Sequence, residues 1–366
     1  MADATDVAYM ERALNLAVKG RGHTSPNPLV GTVIVKGRRI IGQGYHHAAG
    51  RDHAEVVAIK NARGGCRGAT LYVTLEPCCH TGCTGPCTDA IAAAGIKRVV
   101  CAVKDPDPRV SGKGLRALRK SGIEVVVGVL RKQARALNEQ FFGYHENGRP
   151  FIILKWAQSM DGCIATMTGD SKWITSTKSR RLSHQLRSEV DAVVVGSGTV
   201  RHDDPALTVR LVKGRNPYRI IVSSDMKLPR KCQLLQNNED GRTIVAAACD
   251  ADRQRLSKHG GPIIFWRLRR TKNGLVDVTD LVRQADNFGL RSMLVEGGAK
   301  LATSFVEAGL VDKFVIVTAP IIIGNGVSSI GDLATKHLTD AVQFERHTFD
   351  TSGRDCVFIG YPKGRG

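Results

Sequence analysis

His53-Ala54-Glu55, followed downstream by Thr70-Leu71-Tyr72-Val73-Thr74-Leu75-Glu76-Pro77-Cys78-Cys79-His80-Thr81-Gly82-Cys83-Thr84-Gly85-Pro86-Cys87, is the stretch around which the chain is organised. Residues 69–75 are patterned as a strand and deliver Pro77-Cys78 at its end, while Cys87 follows a proline at an expected helix start. A His two residues before a Glu, then Pro-Cys and a further Cys, is the residue set that hydrolytic zinc deamination requires. Three protein ligands leave a fourth position on Zn²⁺ for water, whose pKa the metal lowers towards neutrality. The Glu is no ligand; it carries protons between that water and the departing amino group.

The chain has 366 residues, enough for two domains each with its own core, and an ordinary globular composition of 42% hydrophobic and 24% charged residues. No apolar run approaches the length of a membrane span. The acidic start Met1-Ala2-Asp3-Ala4-Thr5-Asp6 reads as neither a secretory leader nor a transit peptide, so a cytoplasmic protein is expected. Of ten cysteines, Cys78, Cys79, Cys83 and Cys87 crowd together, as metal binding explains better than disulfides do. The net charge of +19 raises nucleic acid as a partner. It is spread evenly, +10 over residues 1–150 and +9 over the rest, and aromatic residues are few. Small phosphorylated ligands suit that pattern at least as well, and no nucleic-acid partner is expected.

Outward from the opening stretch, residues 7–19 carry helical periodicity with Thr5 or Asp6 as cap and Gly20 as stop. Thr24-Ser25-Pro26-Asn27-Pro28 is irregular, because each proline restricts its predecessor. An Asn between two prolines is either a plain turn or a pre-oriented amide for a planar heterocycle. Thr32–Val35 and Ile40–Ile41 form a hairpin, after which Gly42-Gln43-Gly44-Tyr45-His46 leaves the second strand. His53 and Glu55 fall on the first turn of a helix, where the helix dipole favours an ionised Glu55. Strands over 98–103 and 123–127 alternate with a helix over 112–121. The order predicts a layered α/β domain with its site where strands end and helices begin.

Cys78 has cysteines at one, five and nine residues beyond it. Adjacent cysteines entering a helix rarely reach one metal, so Cys79 is the weakest candidate. Cys87 at the helix start is favoured over Cys83, and His80 reads as a solvent or substrate contact. A purely structural zinc is the competing reading of the cluster.

The polar turn Glu146-Asn147-Gly148-Arg149-Pro150 marks the boundary, giving domains 1–147 and 148–366. Phe151–Ala157 reads as a buried strand carrying Lys155, Ser159–Gly162 as a turn, and Gly169–Thr175 as a polar loop before a helix over 180–190. A strand over 191–195 runs into Gly196-Ser197-Gly198-Thr199, a Gly-x-Gly that lacks the third glycine of a dinucleotide fingerprint. Met293–Glu296 is a strand followed by Gly297-Gly298 and a helix over 299–308, whose first amides can hold a cofactor phosphate. An ordinary strand–helix turn is the alternative.

Taken together, the chain resembles the bifunctional riboflavin-biosynthesis deaminase/reductases. The resemblance runs through Pro26–Gly31, Gly44–His46, Ala49-Gly50, His53–Glu55, Tyr72–Cys78, Pro86-Cys87 and Asp105–Pro108. It continues through Leu154–Ala157, Asp161-Gly162, Ser171–Thr175, Leu186-Arg187, Gly198-Thr199, Asp203–Arg210 and Val295–Gly298, nearly the whole chain. It implies a cytidine-deaminase-like α/β/α domain followed by a dihydrofolate-reductase-like α/β domain. It implies Zn²⁺ on His53, Cys78 and Cys87, with Glu55 as proton shuttle and Asn27, His46 and Asp105 around a pyrimidine ribosyl phosphate. It further implies NADPH against Ala157, Trp173, Thr199, Asp203, Ser224, Gly297, Gly298, Ala299, Lys300 and Leu301. Lys155, Ser171, Arg187, Leu207, Arg210 and Glu296 would face substrate, Lys155 as a catalytic group, and the family suggests a homo-oligomer, dimer or tetramer. Asp107 stands where the family usually has Asn, Cys83 where Arg is common, and Ser223 where Asp often precedes Ser224. The implied activity is hydrolytic loss of a pyrimidine amino group, then reduction of the ribosyl group to ribityl. Two other readings compete: a cytidine- or tRNA-type zinc deaminase with a non-catalytic tail, and a basic nucleic-acid-binding protein with a structural zinc.

Overall fold

The computed structural model describes residues 4–81, 85–250 and 261–364. The chain divides into two compact units, Met1–Gly148 and Arg149–Gly366. The first contains α1 (Ala4–Ala17), β1 (Gly31–Lys36), β2 (Arg39–Tyr45), α2 (Ala54–Asn61), β3 (Thr70–Val73), α3 (Cys87–Ala93), β4 (Arg98–Cys101), α4 (Lys113–Lys120), β5 (Glu124–Val127), α5 (Arg131–Leu137) and α6 (Glu139–Asn147). Its sheet has the order β2-β1-β3-β4-β5. β1 is antiparallel to both neighbours, and β3, β4 and β5 are parallel.

Strand alternation divides the apolar side chains between two faces. Leu71, Val73 and Val99 pack with Ala58, Ile91, Leu115 and Leu118 of α2, α3 and α4. Tyr72 and Val100 pack with Met10, Ala13, Ala134 and Phe142 of α1, α5 and α6. This is the expected three-layer α/β/α arrangement. One difference from the sequence reading is that β2 runs on through Gly42 and Gly44 to Tyr45. A Cβ on Gly44 would lie 2.8 Å from Ala54 O and Ala58 N, so a bare backbone lets α2 lie directly on the strand.

The second unit contains β6 (Phe151–Gln158), β7 (Cys163–Thr166), α7 (Thr177–Glu189), β8 (Ala192–Gly196), α8 (Ser197–Asp203), β9 (Tyr218–Ser223), α9 (Gln233–Gln236), β10 (Thr243–Ala247), β11 (Ile264–Arg267), α10 (Val278–Asn287), β12 (Ser292–Val295), α11 (Ala299–Glu307), β13 (Lys313–Thr318), β14 (Gly326–Ser328), β15 (Phe344–Ser352) and β16 (Asp355–Pro362). Nine strands form one sheet in the order β11-β10-β9-β8-β12-β6-β13-β16-β15, and β7 pairs with β14 apart from it. All pairs from β11 to β13 are parallel, while β16 and β15 are antiparallel additions. Runs such as Val193-Val194-Val195 are buried on both faces, as parallel strands between helical layers must be. α10 and α11 cover one face through Leu281, Ala285, Ala302 and Phe305. α7 and α8 contribute Leu186 and Val200 to the other. The segment after β8, read from sequence only as a glycine turn, folds as α8 because Val200 finds a buried place on that face. Among the described residues, no helix is long and apolar enough to cross a membrane.

Candidate active sites

In the first unit, His53 is the residue before α2 and Glu55 lies in its first turn, while Cys87 opens α3 and Cys78 follows the end of β3. His53 Nδ1 is 3.2 Å from Cys87 Sγ and 3.5 Å from Cys78 Sγ. The candidate ligand atoms of these three residues all lie within 4.8 Å of one another. A tetrahedral zinc with two sulfur ligands and one nitrogen ligand sets its donors roughly 3.5–3.8 Å apart, so the set fits that ion. The Cys87 backbone N–H donates to Cys78 Sγ at 3.4 Å, which favours a thiolate there. Cys78 is held below the ordinary thiol range by Cys87 first and by His53 after it. Cys87, sharing a proton with it, is pushed up. Glu55 is only 3% exposed, and burial, reinforced by the Cys78 charge, raises it to about 7. That suits a group that must both take and give a proton near neutrality.

His46 and Asn27 stand beside this set. The rings of His46 and His53 meet edge-on at 5.3 Å. His46 Nδ1 is 3.1 Å from the Asp52 carbonyl and its Nε2 is 3.1 Å from Asn27 Nδ2. Nδ1 therefore carries the proton, and Nε2 accepts from the amide. Burial is the main cause of a lowered His46 pKa, which keeps the ring neutral. The Asn27 amide is thereby turned so that its oxygen is left for another partner.

Asp105 is brought in by Glu76, whose significance the sequence reading missed. The buried Glu76 carboxylate accepts from the backbone N–H groups of Asp105, Gly112 and Leu115 at 3.2, 2.9 and 3.2 Å. It thereby ties the loop before α4 to the strand end that carries Cys78. Burial, with the Asp107 and Glu76 carboxylates nearby, lifts Asp105 to about 7. Asp107 receives Arg109 through Nε at 2.9 Å and Nη2 at 2.5 Å, so its extra charge is matched within the loop. The Asp107-x-Arg109 spacing was the available signal. Cys79 is raised by burial, away from the thiolate a ligand needs. Cys83 lies outside the described residues.

In the second unit the predicted residues come from several elements. Glu296 to Gly298 follow β12, Ser224 follows β9, and Thr199 and Asp203 lie on α8 after β8. Lys155 and Ala157 lie on β6, Arg187 lies on α7, and Ser171, Trp173, Leu207 and Arg210 lie in loops. Glu296 follows β12, and its Oε2 accepts from Arg187 Nε at 2.7 Å. Lys155 Nζ, from the middle of β6, stands 3.8 Å from Glu296 Oε1. That oxygen is buried and has no hydrogen-bond partner among the described residues, so it can accept from a hydroxyl brought by a ligand. Burial works to raise Glu296, but Arg187 and Lys155 together hold it below the usual carboxylate range. Lys155 is lowered by burial.

Beside this cluster the glycines after β12 face the end of β8 and the start of α8. Gly298 N–H donates to Thr199 Oγ1 at 3.1 Å, joining the start of α11 to α8. A Cβ on Gly297 would meet Leu301 Cδ2 at 3.1 Å and Gly196 N at 3.6 Å. Ala299 and Lys300 are the first residues of the nine-residue α11, whose free amides suit a cofactor phosphate. Ser171 Oγ donates to Asp203 Oδ1 at 3.4 Å, bringing the 169–175 loop to the end of α8. Trp173 in that loop is 67% exposed beneath the Arg180 guanidinium at 4.3 Å. Ser224 follows β9, its carbonyl accepting from Arg270 at 2.7 Å, and Ala157 sits on β6 opposite Val317. Leu207 is buried at φ +53°, and Arg210 Nη1 donates to Thr208 Oγ1 at 2.7 Å.

Comparison with known proteins agrees with this division. Residues 3–103 match the cytidine and deoxycytidylate deaminase zinc-binding region, and residues 150–358 match the RibD C-terminal domain. The riboflavin biosynthesis protein RibD of Aquifex aeolicus is 45% identical over 97% of this chain and 98% of its own. That of Escherichia coli is 39% identical over 97% and 99%. Among solved structures, RibD of Acinetobacter baumannii superposes with a TM-score of 0.88 at 34% identity, covering 98% of this chain and 99% of that one. A diaminohydroxyphosphoribosylaminopyrimidine deaminase/5-amino-6-(5-phosphoribosylamino)uracil reductase of Thermotoga maritima gives 0.84 at 37% identity over the same shares.

Proposed function

Because the chain belongs to the RibD family of bifunctional riboflavin-biosynthesis deaminase/reductases, we propose that its two sites act in turn on one small phosphorylated pyrimidine. The observation that carries this reading is the pairing of a complete His53, Cys78 and Cys87 donor set around a buried Glu55 with a separate Lys155, Arg187 and Glu296 cluster.

In the first unit His53, Cys78 and Cys87 would hold the zinc, which when bound would supply Lewis-acid activation of water. Glu55 takes the proton from the attacking water and hands it to the amino group that leaves as ammonia. Asn27, oriented by neutral His46, accepts from the pyrimidine edge, and Asp105 faces the ribosyl phosphate side. In the second unit Gly297 to Leu301, Thr199, Asp203, Ser224, Trp173 and Ala157 would hold NADPH, which when bound would supply a hydride. Arg187 and Arg210 take the substrate phosphate, with Ser171 and Leu207 completing the wall. Glu296 Oε1 accepts from a ribose hydroxyl, and Lys155 delivers the proton that accompanies ring opening at the ribosyl carbon. The protein works as a cytoplasmic homo-oligomer with no nucleic-acid partner.

The test mixes the protein with the diaminopyrimidinone ribosyl phosphate and NADPH and follows ammonia and NADPH together. Both should change, in equal amounts. Ammonia without NADPH oxidation would sink the reductase half, and deamination of cytidine instead would favour a deaminase with an idle second unit.

A further inference from the structure

Arg187 and Arg210 come from different elements, and a histidine with no part in the scheme above joins them. His184 lies on α7 one turn before Arg187 and is 6% exposed. Its Nδ1 accepts from the backbone N–H of Arg210 at 3.0 Å. The segment around Arg210 is held at two further points. Val209 N–H donates to Asn216 Oδ1 at 2.8 Å, and Arg187 Nη1 reaches the Thr208 carbonyl at 3.5 Å. Because the Arg210 guanidinium rests on Thr208 Oγ1, its direction follows from the backbone at 208–210.

We propose that His184 is a positioning residue of the reductase: it fixes the Arg210 backbone against α7 so that Arg187 and Arg210 meet one phosphate together. This rests on the reading of Arg210 as a phosphate contact. The chemistry of the contact asks for an acceptor at Nδ1, which the neutral ring provides. A buried backbone N–H left without an acceptor is costly, and a protonated imidazole has no lone pair at Nδ1. Burial, then the charges of Arg187 and Arg210, hold His184 down at about 4, so its ring stays neutral across the working pH range. The His184-Gln185-Leu186-Arg187 spacing puts both side chains on one face of the helix.

The probes are the deaminated ribosyl phosphate and its dephosphorylated counterpart, given directly with NADPH. Arg210→Gln tests the premise and should raise KM for the phosphorylated substrate at least tenfold while sparing the other, as loss of a charge-assisted contact does. His184→Leu should raise the same KM about tenfold with kcat within about twofold, and leave the dephosphorylated substrate unaffected. His184→Asn, whose Oδ1 falls where Nδ1 lay, should recover most of the loss. A KM rise for Arg210→Gln with none for His184→Leu overturns the proposal and leaves the clamp standing. No rise for Arg210→Gln overturns the clamp itself. Equal loss on both substrates, without rescue by Asn, assigns His184 to packing alone and also overturns the proposal. Should His184→Leu fail to fold, His184→Gln replaces it: its acceptor is displaced by one methylene, so a raised KM supports the proposal and an unchanged KM overturns it.

Discussion

In the first unit the proposed metal donors come from two helix starts and one strand end, with His53 and Cys87 only 34 residues apart. In the second, Arg187 and Glu296 meet across 109 residues, and Lys155 joins them from a third element. The donors of the first site are one imidazole and two thiols held against one another, with the Cys87 backbone N–H donating to Cys78 Sγ. Those of the second are already an ion cluster, with one carboxylate between two cations. A change in the first site should therefore remove metal and chemistry while the fold remains. A change in the second should cost stability and chemistry together, because a buried charge loses its partner.

The largest expected effect separates the two roles inside the first site. Cys87→Ser should abolish zinc binding, measured by metal analysis, and with it ammonia release. Glu55→Gln should keep full zinc and lose deamination about 10²–10⁴-fold, the usual worth of a positioned acid–base group. Both should still reduce the deaminated substrate with NADPH at the parent rate. Cys83→Ser should retain zinc, and a loss there equal to that of Cys87→Ser would overturn the ligand assignment.

Next in size is Glu296→Gln, which breaks the contrast from the other side. Reduction should fall by about 10²-fold or more while deamination is unchanged. Arg187 and Lys155 would then face each other without their carboxylate, and the second unit should lose about 2–4 kcal/mol of stability. The pH dependence has a definite sign. A carboxylate held low in the folded state stabilises above its unfolded pKa of about 4.3, and that contribution is lost as the pH falls through the folded value. Thermal unfolding of the parent between about pH 5 and pH 3 should therefore fall more steeply than that of Glu296→Gln. Parallel profiles would show that Glu296 titrates alike in the folded and unfolded chain, which overturns its place in the ion cluster.

The same contrast explains what the amino-acid sequence could and could not disclose. The layered α/β order of the first unit was legible because its strands are short apolar, β-branched runs and its helices open at recognisable places, with Cys87 after Pro86 and His53 ahead of α2. The candidate zinc donors could be named because His53 and Cys87 sit at those helix starts and Cys78 follows Pro77 after β3. Glu76 was quoted only as a neighbour of Pro77 and Cys78, since its three amide partners lie beyond Val103 and no local pattern announces them. The second site was legible only through family resemblance. Lys155 inside an apolar strand and Glu296 before two glycines are each unremarkable until β6 and β12 lie side by side. His184 escaped notice for the same reason, its partner being a backbone N–H on a distant loop. The continuation of β2 through Gly42 and Gly44 was misread as a break because glycine weakens a strand locally, whereas here its lack of a side chain admits α2.

That last point yields the smallest and most discriminating expectation. Gly44 touches no proposed ligand, yet a Cβ there would lie 2.8 Å from Ala54 O, Ala58 N and Val57 Cβ, all on the helix that His53 precedes and Glu55 occupies. Neither backbone atom can give way without moving α2, because the helix also buries Ala54 and Ala58 against the sheet. Gly44→Ala should therefore displace His53 and Glu55 together by a few tenths of an ångström. Zinc affinity should drop about tenfold in a chelator competition, the low end of what disturbing the support of a metal ligand costs. Deamination should fall further than zinc occupancy explains, because proton transfer depends on Glu55 distance more steeply than ligation does. Reduction of the deaminated substrate should not change. If Gly44→Ala left zinc affinity and deamination at parent values, the placement of α2 would be set by Cys87 and Cys78 pulling on His53 and not by the bare strand beneath it.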